Sequence, residues 1–381
     1  MKLFQKLIVA PATLGLLAPL SATANEVTIR DFNPTEEIAI TNSRIDGLEA
    51  RFNNIEAGSF SETATASFKV NMAIGAVDGK GISAGVTEGT EQVGFQYSFQ
   101  TKLKSSFTGE DELSIAIDSG TNDNAVGEFA GMDKTADQLK VDGVAYKFPI
   151  GDSITAMVAD NKDGSSMFTT ACAYGGPSDT LDDCGNVNAA FGKLGFMTGA
   201  EYDFGNGLTA AVGFAGPETA IATDESADAY GVNAAYTDDN YGLSIAYAMV
   251  DSTVTSGNVT TADGEVDTYT ALNAYYAFDN GVSVSGGYEF GDLGGEADTV
   301  DGVINYFVGV SAPAGPGELG AAFGTYGGQT EGSTEELMYE AYYSYPVNDG
   351  MTLTPLVYVK EKATAGTPDE TGIMVKSSFS F

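Results

Sequence analysis

The chain has 381 residues, with 53 acidic and 17 basic side chains, a formal net charge of −36, two cysteines and no histidine. So acidic a protein is a poor partner for nucleic acid. Without histidine it lacks imidazole-based catalytic triads and most zinc sites, which argues against an enzyme.

The first 24 residues have the pattern of a secretory signal peptide. Lys2 and Lys6 precede an apolar run from Leu7 to Leu20, and Ala22-Thr23-Ala24 supplies the small residues that signal peptidase accepts. We therefore exclude residues 1–24 from the fold. After this cleavage no run of about 18 apolar residues remains, so the mature chain is predicted either to be soluble or to cross a membrane as a closed β-barrel.

Residues 36–57, within the N-terminal segment 25–60, have the pattern of a short helix. Ile38, Ile45 and Phe52 are spaced by heptads, and Leu48 and Ile55 continue the same seam. Two interpretations stay open: an amphipathic helix lying against the rest of the protein, or a small helical bundle that joins protomers.

From residue 61 to residue 381 the sequence alternates between apolar and polar residues and is interrupted by tight turns. Aromatic-rich strand ends followed by Asn, Asp or Gly begin at Tyr202, Tyr236, Tyr276 and Tyr345, which indicates repeated two-strand hairpins. Sixteen strands are predicted, at 62–77, 91–104, 112–118, 137–148, 152–160, 192–204, 207–215, 227–237, 241–250, 265–278, 281–291, 302–312, 317–327, 335–346, 350–361 and 370–381.

Short connections alternate with long ones along these strands, and the long ones include 119–136, 161–191 and 251–264. A barrel with short periplasmic turns and long outer loops has this asymmetry, whereas a soluble sandwich has no reason for it. The predicted fold class is therefore all-β: a 16-stranded antiparallel transmembrane β-barrel, preceded by a short N-terminal helix. Sixteen strands are enough to hold a water-filled channel.

The C-terminal stretch places Ile373, Val375, Ser377, Phe379 and Phe381 on one face of the last strand. A final strand that ends in phenylalanine is what the assembly machinery of bacterial outer membranes reads. Since the chain has no tryptophan, the interfacial girdles of such a barrel would be built from its 19 tyrosines and 21 phenylalanines.

The signal peptide, the heptad segment from Asp46-Gly-Leu-Glu-Ala-Arg-Phe52 into Ser67-Phe-Lys-Val70, the hairpin repeats and Phe381 together resemble a cyanobacterial outer-membrane porin. The resemblance covers essentially the whole mature chain and rests on layout more than on a strict motif. Members of that family usually carry an S-layer-homology domain that grips peptidoglycan. Only Asn25 to Thr35 precede the helix here, so the chain corresponds to a short form, which argues against peptidoglycan contact.

The phase of the alternation predicts which charged side chains would line a pore. On the second strand Val93, Phe95 and Leu103 suit lipid, which turns Lys102 and Lys104 toward the lumen. The same argument predicts a pore wall that contains Lys69, Lys102, Lys104, Lys140, Lys147, Lys193, Lys360 and Lys376. A break in the phase near Asp142-Gly143 predicts a β-bulge in the fourth strand.

The longest predicted loop, 161–191, is the third outer loop. The resemblance implies that it folds into the barrel and forms the constriction, as the third loop of general porins does. The acidic residues on or beside this loop would then face the wall lysines and create a transverse field; they are Asp160, Asp163, Asp179, Asp182 and Asp183. Alternatively, these acids are solvated loop surface and the lysines serve only a polar lumen.

Cys172 and Cys184 lie in the same loop. The oxidising compartment of an exported protein favours a disulfide between them, worth about 3 kcal/mol of unfolded-chain entropy; a pair of free thiols is the alternative. Acidic pairs in loops, such as Asp182-Asp183, Asp238-Asp239 and Glu335-Glu336, offer oxygens to calcium. They lack the spacing of a known calcium loop, so solvated surface is the preferred interpretation and no cofactor is predicted.

These features predict a passive diffusion porin of the outer membrane, a homotrimer that carries small hydrophilic solutes and inorganic ions down their gradients. One alternative is a structural or adhesive surface barrel closed by its own loops, and another is a soluble exported β-sandwich. Ion selectivity stays open, because acidic loops attract cations at the mouth while wall lysines favour anions further in.

Overall fold

The computed structural model describes residues 64–78, 92–121, 126–223, 226–256, 259–294, 302–326, 329–330, 332–363 and 367–381, without the side chains of Gln92 and 252–264. The predicted signal peptide and the predicted helix at 36–57 lie outside these residues. Within the described residues, no helix combines the length and apolarity needed to cross a membrane.

The described chain folds into strands joined by alternately short and long connections. In chain order they are β1 (Ala64–Asp78), β2 (Gln92–Ser105), β3 (Glu112–Gly120), β4 (Lys140–Ile150), β5 (Ile154–Asp160), β6 (Phe196–Gly205), β7 (Leu208–Gly216), β8 (Ala229–Thr237), β9 (Tyr241–Ser256), β10 (Val259–Ala277), β11 (Ser283–Asp292), β12 (Gly302–Ala314), β13 (Gly317–Thr325), β14 (Leu337–Asn348), β15 (Met351–Lys360) and β16 (Glu370–Ser380). Each pairs antiparallel with its neighbours in sequence, and β1 pairs with β16, so these strands form a closed barrel. The predicted 16-stranded antiparallel barrel is confirmed.

The C-terminal residue takes part in the closure of the barrel. The backbone amide of Phe68 donates to the carbonyl of Phe381 over 2.9 Å, and the amide of Phe381 donates back to Phe68 over 3.1 Å. Their rings stack with centroids 5.6 Å apart. Phe381 therefore continues the β1–β16 ladder and adds a ring contact at the end of the barrel that carries the short turns.

The two faces of the strands differ as a membrane barrel requires. Along β8, Tyr230 and Val232 are exposed, while Ala229, Gly231 and Asn233 are buried. Exposed aromatic residues form a band at the short-turn end, as predicted for a chain without tryptophan; they include Tyr202, Phe204, Tyr241, Tyr276, Phe278, Tyr345 and Phe381. A face of exposed apolar residues around a closed sheet suits contact with lipid.

The largest differences from the predicted strand boundaries lie in β6, β9 and β10. β9 continues to Ser256, beyond its predicted end at residue 250, and β10 begins at Val259, before its predicted start at residue 265. Apolar alternation stops in this segment, but its many threonines and valines still favour strand. β6 begins at Phe196 rather than residue 192, after Gly195 with a φ of 118°. The predicted bulge is confirmed, because Ala116 pairs with Gly143 and Ile117 with Val141, which leaves Asp142 between them.

A single carboxylate organises the short turn between β2 and β3. Asp111 Oδ1 accepts hydrogen bonds from the backbone amides of Phe107 and Thr108, over 2.9 and 2.8 Å, and from the hydroxyls of Ser106 and Thr108. Asp111 Oδ2 accepts from the Tyr146 hydroxyl over 2.7 Å, which ties the turn to β4. These bonds hold the pKa of Asp111 well below its usual range. The bond from Ser106 has the largest effect, and the bond from Tyr146 has the next largest.

We predict that Asp111→Asn lowers the unfolding temperature of the barrel at pH 7, because the amide that replaces Oδ1 or Oδ2 cannot accept these bonds. Since folding depresses the pKa of Asp111, its stabilisation is present above the ordinary aspartate pKa of about 3.9 and is lost as the pH falls below it. The difference between variant and native protein should therefore shrink in that acidic range. Thermal unfolding in detergent, followed by the gel mobility of folded and unfolded barrel, measures both effects.

Glu110→Gln is the matched control, since Glu110 is the exposed carboxylate beside Asp111 in the same turn. An equal loss of stability in the two variants would contradict the role given to Asp111.

Candidate functional site

The third long loop, residues 161–195, runs along the inner face of the barrel. Its backbone amides donate to polar side chains on three strands, at distances of 2.9 to 3.0 Å: Thr169 to Asn233 on β8, Ala171 to Ser244 on β9, and Ala173 to Ser285 on β11. These acceptors alternate along their strands with exposed apolar residues such as Val232 and Ile245. The loop therefore lies on the side of the sheet opposite to the apolar outer face.

Glu289 on β11 holds the returning half of this loop. The residue is fully buried, and its Oε2 accepts from the backbone amides of Asn188 and Ala189, each over 2.8 Å. Its Oε1 accepts from the side-chain amides of Asn188, over 2.7 Å, and of Asn305 on β12, over 2.9 Å. Four hydrogen bonds thus converge on Glu289, and three of them come from Asn188 and Ala189 of the loop.

Glycines in the wall let the loop backbone touch the strand backbone. A Cβ on Gly287 would lie 1.8 Å from the carbonyl oxygen of Cys184, and a Cβ on Gly213 would lie 2.1 Å from that of Gly164. The Cys184 carbonyl also accepts from Asn273 Nδ2 over 2.9 Å. Larger residues at these two positions would displace the loop.

The predicted disulfide between Cys172 and Cys184 is confirmed, with their Cα atoms 6.5 Å apart. The segment that the disulfide closes, residues 172–184, contains Tyr174, a buried residue whose hydroxyl donates to Glu340 Oε1 on β14 over 2.6 Å. The ring of Tyr174 packs 5.3 Å from that of Phe307. The tip of the loop is thus closed on itself and fixed to the wall beyond the strands that hold its first half.

Seven of the eight predicted wall lysines occupy inner-face positions by register. They pair across strands with other inward positions: Lys69 with Gln100, Lys102 with Ala116, Lys104 with Ser114, Lys140 with Asp118, Lys147 with Met157, Lys360 with Met338, and Lys376 with Ala73. Lys193 is the exception. It lies in the third loop, where its Nζ is 3.0 Å from Asp142 Oδ1, so its predicted place on a strand is wrong.

The predicted acids are distributed unevenly. Asp163, Asp179, Asp182 and Asp183 lie in the loop, but Asp160 ends β5 and is in register with Val144 and Phe196. That position is on the outer face, on the far side of the sheet from the wall lysines, so the predicted placement of Asp160 is wrong.

Asp179 and Asp182 interact electrostatically with Lys376 on the wall, which also lies within range of Lys69. Asp182 is exposed to the lumen, yet the barrel around it limits its hydration and, with the carboxylates of Asp179 and Asp183, raises its pKa to about 7. The same loss of hydration raises the pKa of Asp183 to about 6, against a hydrogen bond from the Gly185 amide that lowers it. The negative charge of the loop therefore grows between about pH 6 and pH 7.

Sequence reasoning missed the residues that hold the loop. They share one signal, a small polar or acidic side chain or a glycine at an inner-face position: Asn233, Ser244, Asn273, Ser285, Gly287 and Glu289. No group of three acidic or cysteine side chains within the described ranges is arranged to hold a metal ion. The alternative of calcium at the acidic loops stays untested.

Solved porin structures share the fold of this barrel. No family model matches the chain. An anion-selective porin from Comamonas acidovorans superposes with a TM-score of 0.59 at 14% identity, over 84% of this chain and 100% of that one. OprB of Pseudomonas putida superposes with a TM-score of 0.60 at 10% identity, over 84% and 94%.

One relative was found by sequence, the uncharacterized protein alr4550 of Nostoc sp. (strain PCC 7120). It is 23% identical over 435 residues, which cover 95% of this chain and 74% of the relative. At 10% and 14% identity the two structural matches establish the fold, which is that of outer-membrane porins. With its 16-stranded barrel, the protein is located in the outer membrane.

We predict that Glu289→Gln loosens the third loop, because the amide nitrogen that replaces one carboxylate oxygen cannot accept, and the two donors bound to that oxygen, at least one of them from Asn188, lose their acceptor. Leaving buried donors unpaired costs about 1–3 kcal/mol. Cleavage at the buried Tyr174 by a protease that cuts after aromatic residues should therefore become faster in the folded barrel.

Glu318→Gln is the control, since Glu318 accepts from Tyr342 on the neighbouring strand and not from the loop. Equal cleavage rates in native protein and Glu289→Gln would show that Glu289 does not hold the loop.

Proposed function

We propose that this protein is a passive diffusion porin whose third loop forms the constriction. The observation that carries the proposal is the docking of residues 161–195 along the inner face, with hydrogen bonds to β8, β9, β11 and β14. A loop fixed at this many points narrows a 16-stranded barrel without moving under the passage of solutes. Small hydrophilic solutes and inorganic ions would pass down their gradients, and no bond would be made or broken.

The charges support a transverse field as the basis of selectivity. Inward lysines lie on β1, β2, β4, β15 and β16, whereas the loop that presents Asp179, Asp182 and Asp183 docks on β8 to β14. Opposed charges across a narrow aqueous passage orient polar solutes and reject apolar ones. Because Asp182 and Asp183 gain charge near neutral pH, the field would strengthen as the pH rises.

The layout supports three further proposals. We propose that residues 1–24 are removed as a signal peptide, that the mature protein is a homotrimer, and that it belongs to the cyanobacterial porin family. The similarity to the Nostoc protein over 95% of this chain supports the family proposal.

A barrel closed by its loops, with a structural or adhesive role, is the competing function. It is favoured by the buried apolar residues inside the barrel, where the loops pack on the wall. They include Phe129, Leu181, Phe307, Met338, Leu356, Tyr358 and Met374.

Single-channel recording in planar bilayers separates the two functions. We expect the full mature protein to give stable, long-lived current steps that scale with salt concentration. A correctly folded protein that inserts but carries no steady current would overturn the porin proposal and support the closed surface barrel.

We predict that Lys69→Ala and Lys102→Ala each shift the reversal potential of a salt gradient toward cation preference. One charge acting at about 8 Å through water contributes about 0.5 kcal/mol to the energy of an ion, so the cation-to-anion permeability ratio should rise about twofold or more. Lys69→Arg and Lys102→Arg keep the charge and should keep the native ratio. An unchanged ratio in both alanine variants would remove these lysines from the constriction.

A further inference from the structure

The described part of the second long loop, residues 126–139, also contacts the inner wall, on the side of the barrel away from the docking sites of the third loop. The carbonyl of Gly131 accepts from Asn71 Nδ2 on β1, over 3.0 Å, and from Ser98 Oγ on β2, over 3.1 Å. The carbonyl of Ala130 accepts from Lys376 Nζ on β16 over 3.2 Å. The same ammonium lies 5.0 Å from the centroid of the Phe129 ring, a cation–π contact.

This loop is joined directly to the third loop. The amide of Ala130 donates to the carbonyl of Pro177, and the amide of Asp179 donates to the carbonyl of Glu128, each over 2.8 Å. Phe129 and Ser178 are opposed in an antiparallel bridge. The two loops therefore form a short two-stranded ribbon, and the second loop holds the backbone of Asp179, one of the proposed constriction acids.

Apolar side chains of the second loop are buried inside the barrel. Val126 and Phe129 are at most 1% exposed and Met132 is 6% exposed, and all three belong to the cluster that contains Leu356 and Met374 of the wall. A loop that served only as outer surface would expose such residues to water. Their burial shows that the loop is packed as firmly as a core segment.

An ion pair fixes the outer part of the loop to β15. The carboxylate of Glu128 contacts Lys360 Nζ, with side-chain exposures of 9% and 13%. Breaking a buried pair by removing one partner is strongly destabilising, because the other charge is left buried and unpaired. We name this pair the Glu128–Lys360 latch.

We propose that the second loop is a second constriction element, held in the lumen by the Glu128–Lys360 latch, and that it determines the width of the pore together with the third loop. The proposal rests on the porin function for its effect on current, but the position of the loop is testable without current. It makes Glu128 and Lys360 specificity-determining residues, although permeating ions do not contact their buried side chains.

The chain offers a matched pair of lysines for the test. Lys360 Nζ lies 5.4 Å and Lys362 Nζ 5.3 Å from the centroid of the Tyr326 ring, but Lys362 reaches Glu370, over 3.8 Å, rather than the second loop. Lys360→Met and Lys362→Met remove the same charge from the same rim. Only Lys360→Met should give larger and noisier single-channel currents, and the exchange Glu128→Lys with Lys360→Glu should restore native steps.

Loop position is measured separately with Val126→Cys in the otherwise native, oxidised protein, by labelling with a membrane-impermeant maleimide. The buried position should react slowly, and adding Lys360→Met should accelerate labelling by roughly 100-fold or more, as expected for loss of a buried charge pair. Adding Lys362→Met should leave the rate unchanged.

Rapid labelling of Val126→Cys without a second substitution, or equal effects of the two methionine variants, would overturn the second-loop proposal. Equal single-channel currents in Lys360→Met and native protein would overturn it too, since the loop would then not determine the width. Latch-dependent labelling in a protein that carries no current would instead support the latch and overturn the porin function.

Discussion

The pairing of β1 with β16 is the constraint on which the rest of the structure depends. In hydrocarbon an unpaired backbone amide or carbonyl costs several kcal/mol, so a sheet of this size is stable in a bilayer only when it has no edge. The ladder runs from Asp78 opposite Thr371 to Lys69 opposite Ser380, and Phe381 continues it to Phe68. In the closed sheet each strand residue faces either lipid or lumen, because successive side chains along a strand point to opposite faces.

Once the sheet is closed, the third loop has to satisfy its own backbone inside the barrel. Loop amides that leave water need acceptors, and the wall supplies them as Asn233, Ser244, Ser285 and Glu289. Where the loop comes closest, the wall residue is Gly287, since any side chain there would meet the Cys184 carbonyl. The composition of the inner face is therefore explained by the loop as much as by water.

The sequence predicts the strands well, because contact with lipid on one face and with the lumen on the other imposes a period of two that local inspection detects. It fails where that contrast ends. β9 and β10 extend beyond the alternating region. Lys193 is predicted on a strand but lies in the third loop, and Asp160 is predicted to face the lumen but lies on the outer face at the end of β5.

The contacts across the lumen could not be predicted from the sequence, for a different reason. Alternation shows that Glu289 faces inward but not that Asn188, 101 residues earlier in the chain, binds it. The partner is set by the path of a loop whose own sequence has no periodicity. The same limit hid the second loop, because Val126, Phe129 and Met132 are only three residues and their spacing of three does not match the strand period of two.

The loops also decide which of the wall charges stay available to solutes. Lys360 is paired with Glu128, Lys104 Nζ lies 2.7 Å from Glu112 Oε2, and Lys376 is covered by Phe129, whereas Lys69 and Lys147 are exposed. Lys69 and Lys147 lie toward the short-turn end, opposite a loop that presents carboxylates from the other wall. Exposed lysines therefore line the wall at both ends of the barrel, Lys140 at the long-loop end of β4 and Lys69 and Lys147 toward the short turns, so the loops change which wall charges solutes can reach without removing all of them.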